Sequence, residues 1–307
     1  MVYVIGHTSP DLDSVVAAIS YAQLKNKISS SQQHQPAVAG EINKETGYAL
    51  DRFGFSAPEK LDQASEQELI LVDHNEFSQA VSGVEEAEIQ EVLDHHKVNF
   101  QYGSPITFRS LPWGASCTII AEEYESQGVE LDAGLAGLML SAILVDTVIT
   151  KSPTCTEKDK EVIEKLARIA GIEDWQQFGM ELFKVRSSVQ DSSASEIIQG
   201  DFKEFETSLG MIGIGQVETV DVSEFDDRQE ELLQELENMR QQQGYHTAVL
   251  FITDIIKEGS RFLVATSDQE KAEEALGAQL EGGVVYLDGI ISRKKQVAPK
   301  FTSTFNE

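Results

Sequence analysis

Basic residues are scarce in this chain. Against 52 Asp+Glu stand only 24 Lys+Arg, leaving 307 residues with a formal net charge of -28, a balance that repels nucleic-acid phosphates and anionic membrane faces. The acid is spread without an acidic tail and reads as a solvating surface. Cysteine is scarcer still: Cys117 and Cys155 stand apart without CxxC spacing, which argues against a disulfide framework or a zinc cage and suits a reducing cytoplasm. Long apolar runs are missing too. The longest, 133–145, is interrupted by Ser141 and too short for a bilayer, so it reads as a buried core helix. The amino terminus has neither the basic segment nor the apolar length of a signal peptide. Nucleic acid and membrane are therefore not expected as partners.

What is present is a 41% hydrophobic content in a length that favours two domains. Apolar strands at 2–6, 36–40, 68–72 and 89–93 alternate with helical patterns, an amphipathic helix at 14–27 capped by Asp13 or Ser14 and another at 45–53. Three more helices are expected at 115–127, 133–146 and 157–170. This alternation predicts an α/β fold whose larger N-terminal domain holds a doubly wound, mainly parallel sheet, with ligands at the carboxyl ends of the strands. The serine-rich stretch 186–195 reads as a flexible linker, giving domains 1–188 and 195–307 around a linker at 189–194. The smaller C-terminal α/β domain is expected to hold strands at 211–220, 247–252, 262–265 and 284–287, with helices at 224–243 and 269–276. Its Gly210, Gly213 and Gly215 have the wrong spacing for a dinucleotide loop and read as a glycine-rich strand or bulge.

Polar, metal-capable side chains stand where apolar elements end. The loop Gly6-His7-Thr8-Ser9-Pro10-Asp11-Leu12-Asp13-Ser14 can aim His7, Asp11 and Asp13 at one point, although Asp-x-Asp also suits a helix cap. Asp73 and His74 close one strand, and Asp94-His95-His96 closes another. Adjacent histidines point apart, so one can ligate a metal while the other faces substrate, with Asp94 orienting a ring nitrogen. Asp146 ends the 133–146 helix at the negative pole of its dipole, where a bound cation would compensate. Two histidines with Asp11, Asp13, Asp73 and Asp146 suffice for two metals sharing one carboxylate, the outline of a two-metal phosphotransfer site. Imidazole in each set favours Mn2+, with Co2+ as a substitute, while Mg2+ suits the substrate phosphates. Arg293, Lys294 and Lys295 form a conspicuous basic run in so acidic a chain, and Arg supplies a bidentate fork for phosphate. His246 lacks metal-capable neighbours in sequence and reads as structural.

GHTSPDLDS after a strand, LVDHNE, LDHH, the LVDT end of an apolar helix and the late Ser292-Arg293-Lys294-Lys295-Gln296 together resemble the family II, manganese-dependent inorganic pyrophosphatases of the DHH phosphoesterase superfamily. The resemblance implies that His7, Asp11 and Asp73 hold one Mn2+ and that Asp13, Asp73, His95 and Asp146 hold the other, Asp73 bridging. It makes His96, Asp13 and Asp73 catalytic, with His96 a candidate proton donor that also contacts substrate. It carries Lys203, Arg293 and Lys294 over as the groups that grip pyrophosphate. Two metals per subunit would share a water, whose hydroxide attacks phosphorus. A homodimer formed through the first domain and a cytoplasmic location are further implications. With metal ligands in one domain and phosphate-gripping groups in the other, closure about the linker is expected. Rival readings are an exopolyphosphatase, a nuclease of the same superfamily, and a metal or nucleotide sensor on the same fold.

Overall fold

Short apolar strands and capped helices build two compact units, Met1–Arg186 and Ser187–Glu307, in a computed structural model that describes residues 1–29, 33–186 and 192–306. In the first unit, β1 (Val2–Ile5), β2 (His34–Val38), β3 (Glu59–Lys60), β4 (Glu68–Val72), β5 (Glu88–Asp94) and β6 (Thr107–Ser110) form one sheet in the order β3-β2-β1-β4-β5-β6. Every pairing is parallel. The strand order reverses between β1 and β4, and at such a switch point the carboxyl ends of neighbouring strands open a crevice.

The helices of this unit are α1 (Leu12–Ile28), α2 (Lys44–Phe53), α3 (Ser116–Ser126), α4 (Ala133–Asp146), α5 (Glu157–Ala170) and α6 (Trp175–Arg186). Helix α1 starts earlier than expected because Asp11, rather than Asp13 or Ser14, is its cap: the Asp11 carboxylate accepts the Ser14 N–H at 2.9 Å. Nor is α1 amphipathic. Residues 12–22 are all buried, since small side chains such as Ala17, Ala18 and Ala22 let β1 and β2 approach it as well as α3 and α4. Helix α4 is the expected core helix, buried throughout 135–145 and packed against α1, α2, α3, α5 and α6, as a helix apolar on all sides must be. The opposite side of the sheet, with Ile5, Leu69, Leu71 and Val92, is covered by Ala80, Val81 and Val84 from the β4–β5 connection, which winds only into two 3-10 turns.

Directly after α4, Val148, Ile149 and Thr150 take φ values of 49°, 51° and 67°. A left-handed turn of this kind costs roughly 1–2 kcal/mol per L-residue. It is held by the Ile149 N–H donating to the Leu144 carbonyl at 2.7 Å, with the Ile149 side chain buried so close to Gly179 that a Cβ there would lie 2.9 Å from it.

The second unit is built on a mixed sheet, ordered β11-β10-β9-β8-β7. Its strands are β7 (Phe202–Thr207), β8 (Gly210–Thr219), β9 (Thr247–Asp254), β10 (Gly259–Thr266) and β11 (Val284–Asp288), and only β8 and β9 run parallel. All eight residues of β9 are buried, Leu250 and Ile252 facing α7 (Ala194–Gln199) and α8 (Gln229–Gln243), Val249 and Phe251 facing α9 (Gln269–Leu276) and α10 (Ala298–Thr304). Helix α8 begins later than the expected 224 because Val222–Arg228 winds as 3-10 helix. Much of the expected 189–194 linker lies outside the described residues, while Ser193, within them, caps α7 in a reciprocal capping box with Glu196. The glycines of β8 serve close approach: a Cβ on Gly213 would stand 2.2 Å from the Phe202 ring, and one on Gly215 2.6 Å from the Ile198 carbonyl.

Candidate active site

Several elements of the first unit begin or end at a polar, metal-capable side chain. His7 follows β1, Asp11 and Asp13 sit at the start of α1, Asp73 follows β4, His95 follows β5 and Asp146 closes α4. Ligand atoms of His7, Asp11 and Asp73 lie within 4.8 Å of one another, and so do those of Asp13, Asp73, His95 and Asp146. These are the two sets that the family resemblance implies, and Asp73 belongs to both. Its Oδ2 stands 3.4 Å from His7 Nε2 and its Oδ1 3.3 Å from His95 Nε2, so the carboxylate turns one oxygen toward each set. His7 Nε2 is also 3.5 Å from Asp11 Oδ2, and His95 Nε2 3.5 Å from Asp146 Oδ2. Asp73 adopts a left-handed φ of 61°, a strained conformation of the sort that gathers at functional sites.

Backbone groups that no motif announced fix these ligands. The N–H groups of Ser116 and Cys117, at the positive pole of α3, donate to Asp13 Oδ2 and Oδ1 at 2.6 and 3.0 Å, and the Ser116 hydroxyl donates to Asp73 Oδ1 at 3.0 Å. His95 Nδ1 stands 3.0 Å from the Trp113 carbonyl, a contact that keeps a proton on Nδ1, so that Nε2 is the nitrogen that opens to a metal when the ring is neutral. Asp94 accepts the backbone N–H of His95 and of His96 and contacts His96 Nδ1 at 2.9 Å, while the buried Asn75 amide donates to its other oxygen. The two adjacent rings divide as expected: the His95 side chain is 11% exposed among the carboxylates and that of His96 is 53% exposed. His74 is buried, its Nδ1 2.9 Å from the Val72 carbonyl, and belongs to neither set.

Burial alone would lower the His7 and His95 imidazoles, yet their carboxylate neighbours, Asp11 and Asp73 for the first and chiefly Asp73 for the second, outweigh it and raise both to about 10. Burial, then the charge of Asp73, pushes Asp13 up to about 7. Burial and the charges of Asp13 and Asp73 hold Asp146 well above the usual carboxylate range, whereas contacts to His7 and His95 overcome burial and keep Asp73 below it. His95 Nε2 is buried without a hydrogen-bond partner. A bare imidazole nitrogen among clustered carboxylates fits a divalent cation, and mixed nitrogen and oxygen donors fit Mn2+ better than the all-oxygen shell of Mg2+.

The basic candidates for holding phosphate lie in the second unit. Lys203 on β7, Arg293 and Lys294 line a cavity of about 450 Å³ with Phe205, Pro299 and Thr302; Lys295 is not among its lining residues. Arg293–Val297 forms a single π-type turn, with the Ser292 hydroxyl accepting the Lys295 N–H and Gln296 Oε1 accepting the N–H groups of Ile291 and Ser292. Serine and glutamine of the SRKKQ run therefore shape the turn that presents Arg293 and Lys294. His246 packs edge-on against Phe305 and contacts the Thr247 hydroxyl, in keeping with a structural role.

Residues 1–143 match the DHH family, N-terminal domain, and residues 180–304 match the DHHA2 domain. The chain is 45% identical to the manganese-dependent inorganic pyrophosphatase of Methanothrix thermoacetophila, over 100% of this chain and 99% of that one. It is 43% identical to the manganese-dependent inorganic pyrophosphatase of Methanocaldococcus jannaschii, over the whole of both. Among solved structures it resembles a Methanococcus jannaschii protein assigned to family II of the inorganic pyrophosphatases, with a TM-score of 0.63 and 42% identity across 100% of both chains.

Proposed function

The chain belongs to the family of manganese-dependent inorganic pyrophosphatases, and from that premise we propose that it hydrolyses pyrophosphate to two phosphates at the carboxylate–histidine cluster of its first unit. One observation carries the reading: Asp73 turns one oxygen toward each of two ligand sets. Two Mn2+ ions per subunit, one held by His7, Asp11 and Asp73 and one by Asp13, Asp73, His95 and Asp146, would acidify water and neutralise phosphate charge. Co2+ suits the same donors, and Mg2+ would accompany the substrate phosphates.

The protein's own groups supply the rest. His96 is exposed, and its Nδ1 is fixed by Asp94, which leaves Nε2 to meet a phosphate oxygen and give up a proton to the departing phosphate. Arg293 contributes a planar fork, and Lys203 and Lys294 contribute point charges, in a cavity roomy enough for a phosphate chain. The DHH unit is thus the metal-binding half and the DHHA2 unit the substrate-gripping half.

A cytoplasmic location accords with two free thiols, Cys117 and Cys155. For a homodimer through the first unit, support comes from β6. It edges the sheet beside Val98 and Phe108, 53% and 36% exposed, whereas the opposite edge, β3, is two charged residues that discourage pairing.

Phosphate release from pyrophosphate, long-chain polyphosphate and a dinucleotide, each with Mn2+, tests the proposal. Pyrophosphate is expected to be by far the best substrate. Preference for polyphosphate would move the protein to the exopolyphosphatases, and preference for the dinucleotide to the nucleases.

A further inference from the structure

Segment 113–117 touches three of the proposed ligands at once. The Trp113 carbonyl meets His95, the Ser116 N–H and hydroxyl meet Asp13 and Asp73, and the Cys117 N–H meets the second oxygen of Asp13. What fixes this segment lies outside both ligand sets. Asp159, fully buried in the first turn of α5, accepts the Gly114 N–H at 2.9 Å and the Thr118 hydroxyl at 2.6 Å. It also accepts the Thr156 N–H and hydroxyl at 2.7 and 2.6 Å, closing the capping box of its own helix. The cap needs only the Thr156 bonds; those to Gly114 and Thr118 reach another element, 45 and 41 residues away. Gly114 is required there as well, because a Cβ would stand 2.6 Å from Thr147 Cγ2 and 2.9 Å from Asp159 Oδ2. Thr147 is the residue following the ligand Asp146, so the same tether meets the end of α4.

We propose that Asp159 is a positioning residue for the metal centre, anchoring segment 113–117 so that Trp113, Ser116 and Cys117 hold His95, Asp73 and Asp13 in ligating orientation. The inference rests on the metal-binding reading above. It differs from a purely helix-stabilising role in one respect: loss of the carboxylate disturbs metal geometry, whereas loss of the cap alone does not.

Three full-length variants separate these. In Asp159→Ala the Gly114 N–H and Thr118 hydroxyl lose their acceptor. In Asp159→Asn an oxygen still accepts Gly114, and the Thr118 hydroxyl can turn to accept the new amide. In Thr156→Ala the capping box is broken while the tether stays. Mn2+ titration calorimetry and the visible absorption of the Co2+-loaded protein are the readouts, with melting temperature alongside. Asp159→Ala is expected to weaken Mn2+ binding about 10-fold, at the lower end of the range for removing a ligand's outer partner, and to shift the Co2+ bands. Asp159→Asn restores both, and Thr156→Ala lowers the melting temperature with Mn2+ affinity unchanged. Equal Mn2+ affinity in Asp159→Ala and the parent, or equal losses in Asp159→Ala and Thr156→Ala, would overturn the proposal. Should Asp159→Ala fail to fold, Thr118→Val removes one arm of the tether, and unchanged Mn2+ affinity and Co2+ bands in that variant overturn it equally. A parent protein that binds no Mn2+ would overturn the underlying metal reading instead.

Discussion

Arg293 is closed on Asp201: its Nη2 donates to Asp201 Oδ1 at 2.6 Å and its Nη1 to the Asp201 carbonyl at 2.5 Å. The guanidinium is thereby oriented before substrate arrives. Arg293→Lys keeps the charge but cannot make both bonds or offer a fork. The loss of a charge-assisted hydrogen bond, ~1.5–3 kcal/mol, corresponds to a fall of ~10–100-fold in kcat/KM for pyrophosphate. Mn2+ stoichiometry should be untouched; a variant that loses metal would contradict the division of labour between the units. Asp201→Asn should raise KM less than about fivefold, since Asp201 is 53% exposed and solvent screens the pair.

Sharing of Asp73 makes a second prediction. Asp73→Asn leaves one oxygen and an amide nitrogen where two oxygens served. It can no longer offer an oxygen to both ligand sets and also loses the shared negative charge, so Mn2+ stoichiometry should drop from two to one or none. Asp94→Asn disturbs the orientation of His96 and the hydrogen bonds around it without removing a member of either ligand set, and should cost ~10–100-fold in activity with metal content intact. Metal analysis beside steady-state kinetics decides, and equal effects from the two substitutions would remove the bridging role.

Protons occupy the metal-free centre. With His7 and His95 raised to about 10 from 6.5, both imidazoles are protonated at pH 7 and must release those protons to a metal. Calorimetry in two buffers of different ionisation enthalpy should therefore count at least two protons released as Mn2+ binds at pH 7, more where the raised Asp13 and Asp146 also give theirs up, with apparent affinity rising toward pH 10. For the chelated protein the sign reverses. Groups whose folded values lie above their unfolded ones contribute stability fully below pH 6.5, and it is lost as pH rises through about 10. Chelated protein should melt lower at pH 9.5 than at pH 6.5; a flat profile would count against these ion pairs.

The left-handed turn after α4 offers a test by relief. Thr150 carries a φ of 67°, and glycine there removes ~1–2 kcal/mol of strain while adding ~0.5–1 kcal/mol of chain entropy to the unfolded state. Thr150→Gly should stabilise the protein by about 0.5–1 kcal/mol in thermal melts. A lower melting temperature would mean that the threonine side chain contributes more than its backbone costs.

Legibility of the fold followed the strength of local signals. Helix α5 was expected over its observed span because Thr156 and Asp159 frame its start and Gly171, at φ 70°, ends it. The strands β1, β4 and β5 are short apolar runs, and their ends delivered the candidate ligands. Strand β6, Thr-Phe-Arg-Ser, alternates too weakly to be seen, because it lies at the edge with little to bury. Helices α7 and α10 are not among the expected elements: the serine-rich stretch reads as a linker, although Ser193 with Glu196 spells a capping box, and α10 is short, with a proline in its first turn, where proline is at home. Helix α1 is legible as a helix, but its expected amphipathic face is not found, because burial on every side over residues 12–22 leaves no polar stripe there. Within the site, the side chains that converge are legible in the sequence and their supports are not: N–H groups of residues 116 and 117 and the carbonyl of residue 113 carry no sequence signature, and Asp159 looks like an ordinary cap residue.

The all-parallel first sheet has a consequence for the order of folding. No two of its strands are joined by a tight hairpin, and β1 finds β4 across the register Val2↔Glu68, so its pairings form only after large loops have closed. The proposed ligands are scattered from residue 7 to residue 146 and converge only when β1, β4, β5 and α4 are already side by side. Mn2+ therefore finds no coherent nest in the unfolded chain. Bound at the proposed site, it would be a lock turned at the end of the pathway, and Mn2+ is expected to slow unfolding while leaving the refolding rate almost unchanged.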